Sequence, residues 1–305
     1  MTRLQRTHAG LLALAIGIFS TLGRAEAPAP LRVVFFTDVH ARTEWGTTGA
    51  LARAVAAINA QKPDLVIGGG DYITDGFESS AEAVEPRWAA FLDMREKIAA
   101  PFQPALGNHD LVAVAPGDGS PPAADPRGAF REKLGVERTC RSFDFKGWHF
   151  ILLDAIEVTG DALRYRGFVG PEEMDWLKGD LAALAPDTPI VLVSHMPLMT
   201  PFFQATEGPT AAAPANRVVV NSRDVLKLFE GRTLALVLQG HTHVHDAIEW
   251  RGTRFVTGGA VCGQWWRGPW HGTEEGFTVV ALDPCDRPRW WYVDYGWDAV
   301  RPPGE

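Results

Sequence analysis

The 305-residue sequence predicts an α/β fold on two observations. Strand-length apolar runs alternate with stretches of helical spacing, and five of the runs break off into segments holding His, Asp or Asn. In open α/β sheets, functional groups collect at the carboxyl ends of strands. With 46% apolar and 22% charged residues, the chain can bury a sizeable core.

Residues 1–27 stand apart. Arg3 and Arg6 precede the apolar stretch LLALAIGIF, and GRAEA supplies small residues. That is the three-part layout of a secretory signal peptide, cleaved after Ala25 or Ala27. Its apolar core is short for a membrane span, an uncleaved N-terminal anchor being the alternative. Residues 28–305 are then expected to form a single domain of a secreted or periplasmic protein, with no later stretch of transmembrane length. Losing the leader removes three arginines and one glutamate from a chain whose formal net charge is already −8. A surface this acidic, with no basic run, repels nucleic acid polymers.

LRVVFFTDVH (31–40) reads as a buried strand ending in polar residues, and residues 47–61 have helical spacing. PDLVIGGGD (63–71) is a second apolar run closing on glycines and an aspartate. A helical stretch over 81–100 and then PFQPALGNHD (101–110) repeat the arrangement. Over 141–154 two β-like runs meet at Lys146-Gly147, a hairpin signal. Residues 170–184 make a helix with Pro171 at its start and acidic residues in its first turn. PIVLVSH (189–195) is another buried strand, 222–231 a short helix with glycine behind it, and TLALVLQG (233–240) a strand leading into GHTH. Hairpins follow, with turns at Arg251-Gly252 and 283–288. Two Pro-rich stretches, 113–128 and 196–217, lack regular pattern and read as irregular insertions. The first is expected to be mobile, and the second to shape a substrate site because it follows His195. Cys140, Cys262 and Cys285 make no disulfide framework and lack zinc-site spacing, so buried structural thiols are expected.

Five strand ends present TDVH (37–40), GGDYITD (69–75), GNHD (107–110), SHMP (194–197) and GHTH (240–243). Any one alone reads as readily as a capped loop. Together they offer two carboxylates, one amide and four imidazoles: Asp38, Asp71, Asn108, His40, His195, His241 and His243. The ordered set D-x-H, GD, GNH[DE], His and GHxH resembles the calcineurin-like metallophosphoesterases over residues 31 to about 282. That resemblance implies a four-layer αββα sandwich of two mixed β-sheets flanked by helices. It also implies two divalent metal ions, one held by Asp38, His40 and His243, the other by Asn108, His195 and His241, with Asp71 as the bridge. His109 matches the position that acts on the leaving group, so the implied catalytic residues are His109 and Asp71. Two such cations hold a bridging hydroxide, offset the phosphate charge and clamp an in-line displacement. Mixed N/O donors without thiolate allow manganese, zinc or iron.

Purple acid phosphatases, which resemble this family, place Gly where His40 stands and a ligand Tyr three residues after the bridging Asp. Here that position is Thr74 and Tyr72 is out of phase, which speaks against a ferric–tyrosinate centre. The three residues between Asp71 and Asp75 resemble the cyclic-nucleotide phosphodiesterase branch. His245 continues the alternation but lies beyond the motif and is not expected to bind metal. Asp75 and Asp110 either orient imidazoles or cap helices. Trp265, Trp266, Arg267, Trp270 and His271 sit among glycines in 258–277 and are expected to line the substrate pocket, core aromatics being the alternative. Arg164 and Arg166 are further candidates, set against a solvated turn. The expected activity is hydrolysis of a small phosphate ester, with phosphodiesters favoured, because a dianionic monoester gains from cationic donors beyond the metals. A phosphomonoesterase or pyrophosphatase of the same fold is the alternative, and a non-catalytic metal-containing binding protein the alternative of another class.

Overall fold

Strands that are apolar on both faces need a covering layer on each side. In the computed structural model, which describes residues 30–299, β1 (Leu31–Phe36), β2 (Leu65–Gly68) and β3 (Phe102–Pro104) run parallel. They are joined through α1 (Thr47–Ala60) and α2 (Ala81–Glu96), and α3 (Gly128–Leu134) follows. Next come the hairpin β4 (Arg141–Phe145) and β5 (Trp148–Leu153), the ribbon β6 (Ile156–Val158) and β7 (Tyr165–Gly167), and α4 (Pro171–Ala183). β8 (Pro189–Ser194), α5 (Phe202–Glu207), α6 (Ser222–Lys227) and β9 (Thr233–Gln239) precede two hairpins. These are β10 (His245–Trp250) with β11 (Thr253–Gly258), and β12 (Gly276–Leu282) with β13 (Arg289–Asp294). The leader expected over 1–27 lies outside the described residues.

Two mixed sheets result. One has the order β13-β12-β1-β2-β3, with β12 antiparallel to β1. The other has the order β10-β11-β9-β8-β5-β4, parallel from β11 to β5 and edged on both sides by hairpin strands. Alternate residues divide between two apolar layers. Val33, Phe35, Leu65 and Ile67 from one sheet share a buried cluster with Phe150, Leu152, Val191, Val193, Leu236 and Leu238 from the other. The neighbours that alternate with them face the helices. Val34, Phe36 and Val66 pack with α1 and α2 residues such as Leu51, Ile58, Trp88 and Phe91, while Ile151 and Leu192 pack with Leu177 and Leu181 of α4. Each fully buried aromatic or aliphatic side chain contributes about 1.5–3 kcal/mol. The sandwich therefore does not hang on any one of them.

Both predicted two-residue turns are present. Lys146 and Gly147, and likewise Arg251 and Gly252, have positive φ, the left-handed pair that suits a tight hairpin. Three details depart from the sequence reading. Residues 196–217 are not wholly irregular, because α5 forms within them. The 113–128 stretch is irregular, but Val112 N–H donates to Pro126 O, Ala113 N–H to Gly76 O, and Ala123 N–H to Ala113 O, so its neck is fastened. Cys140 and Cys262 are buried free thiols, whereas Cys285 is exposed, since it sits in the turn between β12 and β13 rather than under a sheet. Among the described residues, no helix is long and apolar enough to cross a membrane.

Candidate metal centre

The five motifs emerge from the carboxyl ends of β1, β2, β3, β8 and β9, and there the backbone turns hard. Asp38, His40, Asp71, His241 and His243 all have positive φ, between 44° and 72°. Such a conformation costs a non-glycine residue of order 1–3 kcal/mol and persists only when the surroundings impose it. Here the loops bind one another: Asp38 N–H donates to Gly70 O, His40 N–H to Asp71 O, and Gly240 N–H to His195 O.

Two groups of donor atoms converge within this frame. In the first, His40 Nε2 and His243 Nε2 lie 3.2 Å apart, and Asp38 Oδ1 is 3.3 Å from His243 Nε2. In the second, His195 Nε2 lies 3.1 Å from Asn108 Oδ1 and 3.2 Å from His241 Nδ1. Asp71 Oδ2 belongs to both, 3.6 Å from His40 Nε2 and 3.1 Å from His195 Nε2. All seven side chains are buried.

The outer hydrogen bonds decide which nitrogens face inward. His243 Nδ1 donates to Gly263 O (2.6 Å), His195 Nδ1 to Gly69 O (2.8 Å), and His241 Nε2 to Asn216 O (3.0 Å). Each proton therefore sits on the outer nitrogen and each inner nitrogen presents a lone pair. Asn108 Nδ2 donates to the Tyr165 hydroxyl at 3.2 Å, which turns its Oδ1 inward. Lone pairs and carboxylate oxygens this close repel unless positive charge stands among them. Asp38 Oδ1 is buried with no hydrogen-bond partner at all. Burial opposes charge on His195, but the Asp71 carboxylate outweighs it and lifts that imidazole to about 9. Burial, reinforced by the charge of His195, pushes His241 down to about 3. The side chains on their own thus call for cations, and the donor set fits two divalent ions. Cys262 Sγ lies 3.7 Å from His243 Nδ1, on the side of the outer nitrogen, which leaves thiolate out of the inner set.

A family model for calcineurin-like phosphoesterases matches residues 31–245. The chain belongs to the calcineurin-like phosphoesterase family. It is accordingly a metal-dependent phosphoester hydrolase. No curated protein matches it by sequence. Among solved structures it is similar to a dimetal phosphatase from Danio rerio, with 16% identity over 88% of this chain and 97% of that one and a TM-score of 0.64. It is also similar to the purple acid phosphatase PPD1 of yellow lupin (Lupinus luteus), at 18% identity over 88% of this chain and 52% of that one, TM-score 0.57. GAP50, the anchor in the inner membrane complex of Plasmodium, aligns at 14% identity over 90% and 87%, TM-score 0.53. At such identities the likeness is one of fold.

Around the centre of this phosphoesterase, several residues take roles that their motifs did not reveal. In the 3₁₀ turn Asn108–Asp110, Asp110 Oδ2 accepts from Gly107 N and from Asp71 N, and Oδ1 from Tyr72 N. Asp110 therefore caps and cross-links the loops after β2 and β3 rather than orienting an imidazole. Asp75 does face one: its N–H donates to His109 Nδ1 at 3.2 Å, and its Oδ1 lies 3.6 Å from that nitrogen. A neutral His109 then carries its proton on Nε2. The His109 ring stands edge-on to His40 at 4.6 Å and is only partly buried, so it stays reachable. Tyr72 packs in the core among Phe91, Phe102 and Phe130, away from the donors. His245 stacks on Tyr292 and places Nδ1 3.1 Å from Thr257 O, outside both groups.

The expected pocket wall divides. Trp265 is half-buried, its ring 4.4 Å from that of His243, and Trp270, His271 and Phe202 continue an aromatic arc away from it. Trp266 is not a wall residue: it is 2% exposed, and its Nε1 donates to His40 O at 2.9 Å. The 259–266 loop brings it inward by bonding Val261 N–H to Thr37 O and Cys262 N–H to Asp38 O. Arg267 is exposed beside Trp45. Arg164 pairs with Glu78, and Arg166 pairs with Glu157 while lying over Phe168, so neither is turned to the donors. Tyr165, Asn216 and Gly263 act through a lone hydroxyl or a backbone carbonyl and so leave no residue-type signal in the sequence.

Proposed function

We propose that this phosphoesterase holds one divalent cation through Asp38, His40, Asp71 and His243 and a second through Asp71, Asn108, His195 and His241. We further propose that it hydrolyses phosphodiesters ahead of monoesters. The observation that carries the first part is the single oxygen Asp71 Oδ2, which stands within reach of both donor groups. Two such cations supply the charge that offsets a phosphoryl anion and activates water for in-line attack. The protein's own groups do the rest. Asp71 Oδ1 accepts the His109 N–H at 2.7 Å, so one carboxylate orders both the donors and the backbone of His109. As the imidazolium, with the Asp75 carboxylate 3.6 Å from Nδ1, His109 would give its Nε2 proton to the departing alkoxide and return to the neutral ring. Manganese, zinc and iron all suit these N/O donors.

The diester preference is supported by the aromatic arc from Trp265 to Phe202, which offers a surface for a second organic arm. Pairing of Arg164 and Arg166 with carboxylates leaves them unsuited to a dianion. The test is a panel of a bis-aryl phosphate, a cyclic nucleotide, an aryl monoester and a pyrophosphate bond, each with manganese, zinc and iron supplied separately. The diesters should show the higher kcat/KM. A monoester faster by about tenfold or more, roughly 1.4 kcal/mol in transition-state binding, reverses the preference and makes the protein a phosphatase. A secreted or periplasmic location is proposed from the leader-like residues 1–27, and N-terminal sequencing of exported protein tests it. Absence of turnover across the whole panel, with metal bound, would contradict the hydrolase assignment.

A further inference from the structure

Arg217 is tied on two sides to the second donor group. It follows Asn216, whose carbonyl accepts from His241 Nε2 at 3.0 Å. Its segment is stitched to β7 through Gly167, whose N–H donates to Ala215 O at 2.9 Å and whose carbonyl accepts from Val220 N–H at 2.8 Å. β7 carries Tyr165, and the Tyr165 hydroxyl accepts from the Asn108 amide. Arg217 is therefore carried on a segment fastened to the edge of the centre that holds Asn108 and His241.

The Arg217 side chain is half-buried, yet it makes no hydrogen bond or ion pair with any described residue. The other half-buried arginines all have an acceptor or an ion-pair partner: Arg42 pairs with Glu44 at 3.6 Å, and Arg87 meets the Thr74 carbonyl, Arg127 Asp154, and Arg131 Asp125. Likewise Arg141 meets the Pro104 carbonyl, Arg166 Glu157, Arg232 the Leu184 carbonyl, and Arg254 Glu249. Partly desolvating a guanidinium without giving it an acceptor is unfavourable. The second donor group stands beside its segment, where an anion arriving with the substrate would supply that acceptor. A planar guanidinium fork suits phosphoryl oxygens.

We propose that Arg217 receives the phosphoryl oxygen that a monoester dianion carries beyond those engaged at the two donor groups, and so sets how far the site accepts monoesters alongside diesters. A diester has an organic arm in place of that oxygen and gains less from the guanidinium. The proposal rests on the hydrolase reading above but does not require diesters to be the better substrates.

The test compares Arg217→Gln and Arg217→Lys with the wild-type metalloenzyme on 4-nitrophenyl phosphate and bis(4-nitrophenyl) phosphate. Arg217→Gln should lower the monoester-to-diester ratio of kcat/KM by about 10- to 100-fold, the size of one charge-assisted hydrogen bond. Arg217→Lys should restore part of it. Calorimetric titration with inorganic phosphate should show weaker binding to Arg217→Gln at unchanged metal stoichiometry, a readout that stands even if neither ester turns over. An unchanged ratio together with unchanged phosphate affinity in a fully metallated Arg217→Gln protein overturns the proposal. Wild-type protein that binds phosphate through Arg217 but hydrolyses neither ester overturns the hydrolase reading alone.

Discussion

His109 carries the sharpest prediction at the scale of the residue. The Asp75 carboxylate stands 3.6 Å from its Nδ1 and its ring is partly open, which suits a proton donor. His109→Ala should keep both metals and slow turnover by roughly 10²–10⁴-fold on alkyl esters. The loss should shrink for nitrophenolate leaving groups, which need no proton. Equal losses on both, measured as kcat at saturating substrate, would make His109 a hydrogen-bond donor to the transition state instead. At this scale the sequence was largely legible: all seven candidate ligands gather where the motifs implied. What it did not show is how they are aimed. Positive φ at five of the seven and the carbonyls of Gly69, Asn216 and Gly263 are backbone properties, and any residue type supplies a carbonyl. Trp266 takes the core alternative, because an indole in a Gly-rich loop looks the same in sequence whether it faces a pocket or, as here, anchors His40 from the core.

The loops after β2 and β3 work as one element, because a single carboxylate joins them. Asp110 takes three backbone N–H groups, from Asp71, Tyr72 and Gly107. Gly107 must remain glycine, since a Cβ there would collide with the Asp71 backbone nitrogen and carboxylate. Asp110→Asn exchanges one acceptor oxygen for a donor and strands at least one buried N–H, a cost of about 1–3 kcal/mol. The expected result is lower thermal stability together with weaker retention of both metals, because Asp71 is displaced. Thermal melts and elemental analysis check this, and a variant with wild-type stability and metal content would show that the cross-link does not position Asp71. Long elements were readable from periodicity, and α6 from the glycine behind it, while α3, α5 and the β6–β7 ribbon are too short to establish a period.

Across the whole molecule, the sandwich keeps a separate charged cluster on its second sheet. His149 on β5 lies between Asp144 on β4 (2.7 Å) and Asp180 on α4 (3.0 Å), and Ser142 Oγ also donates to Asp180. Burial works against charge on His149, but Asp180 and then Asp144 outweigh it and raise its pKa above 6.5. A raised pKa means that this cluster's contribution is fully present below the unfolded value and is lost as pH rises through the folded one. The stability difference between wild type and His149→Gln in urea melts should therefore be larger in mildly acidic than in mildly alkaline buffer. A difference independent of pH would show that folding leaves the His149 pKa unchanged. The account as a whole stands on two cations sharing Asp71, and anomalous diffraction from crystals loaded with manganese or zinc measures that directly. It should give two peaks roughly 3.5–4 Å apart, flanking Asp71 Oδ2, one among Asp38, His40 and His243 and the other among Asn108, His195 and His241. A single peak under saturating metal, or two peaks of which either stands clear of Asp71, would contradict it.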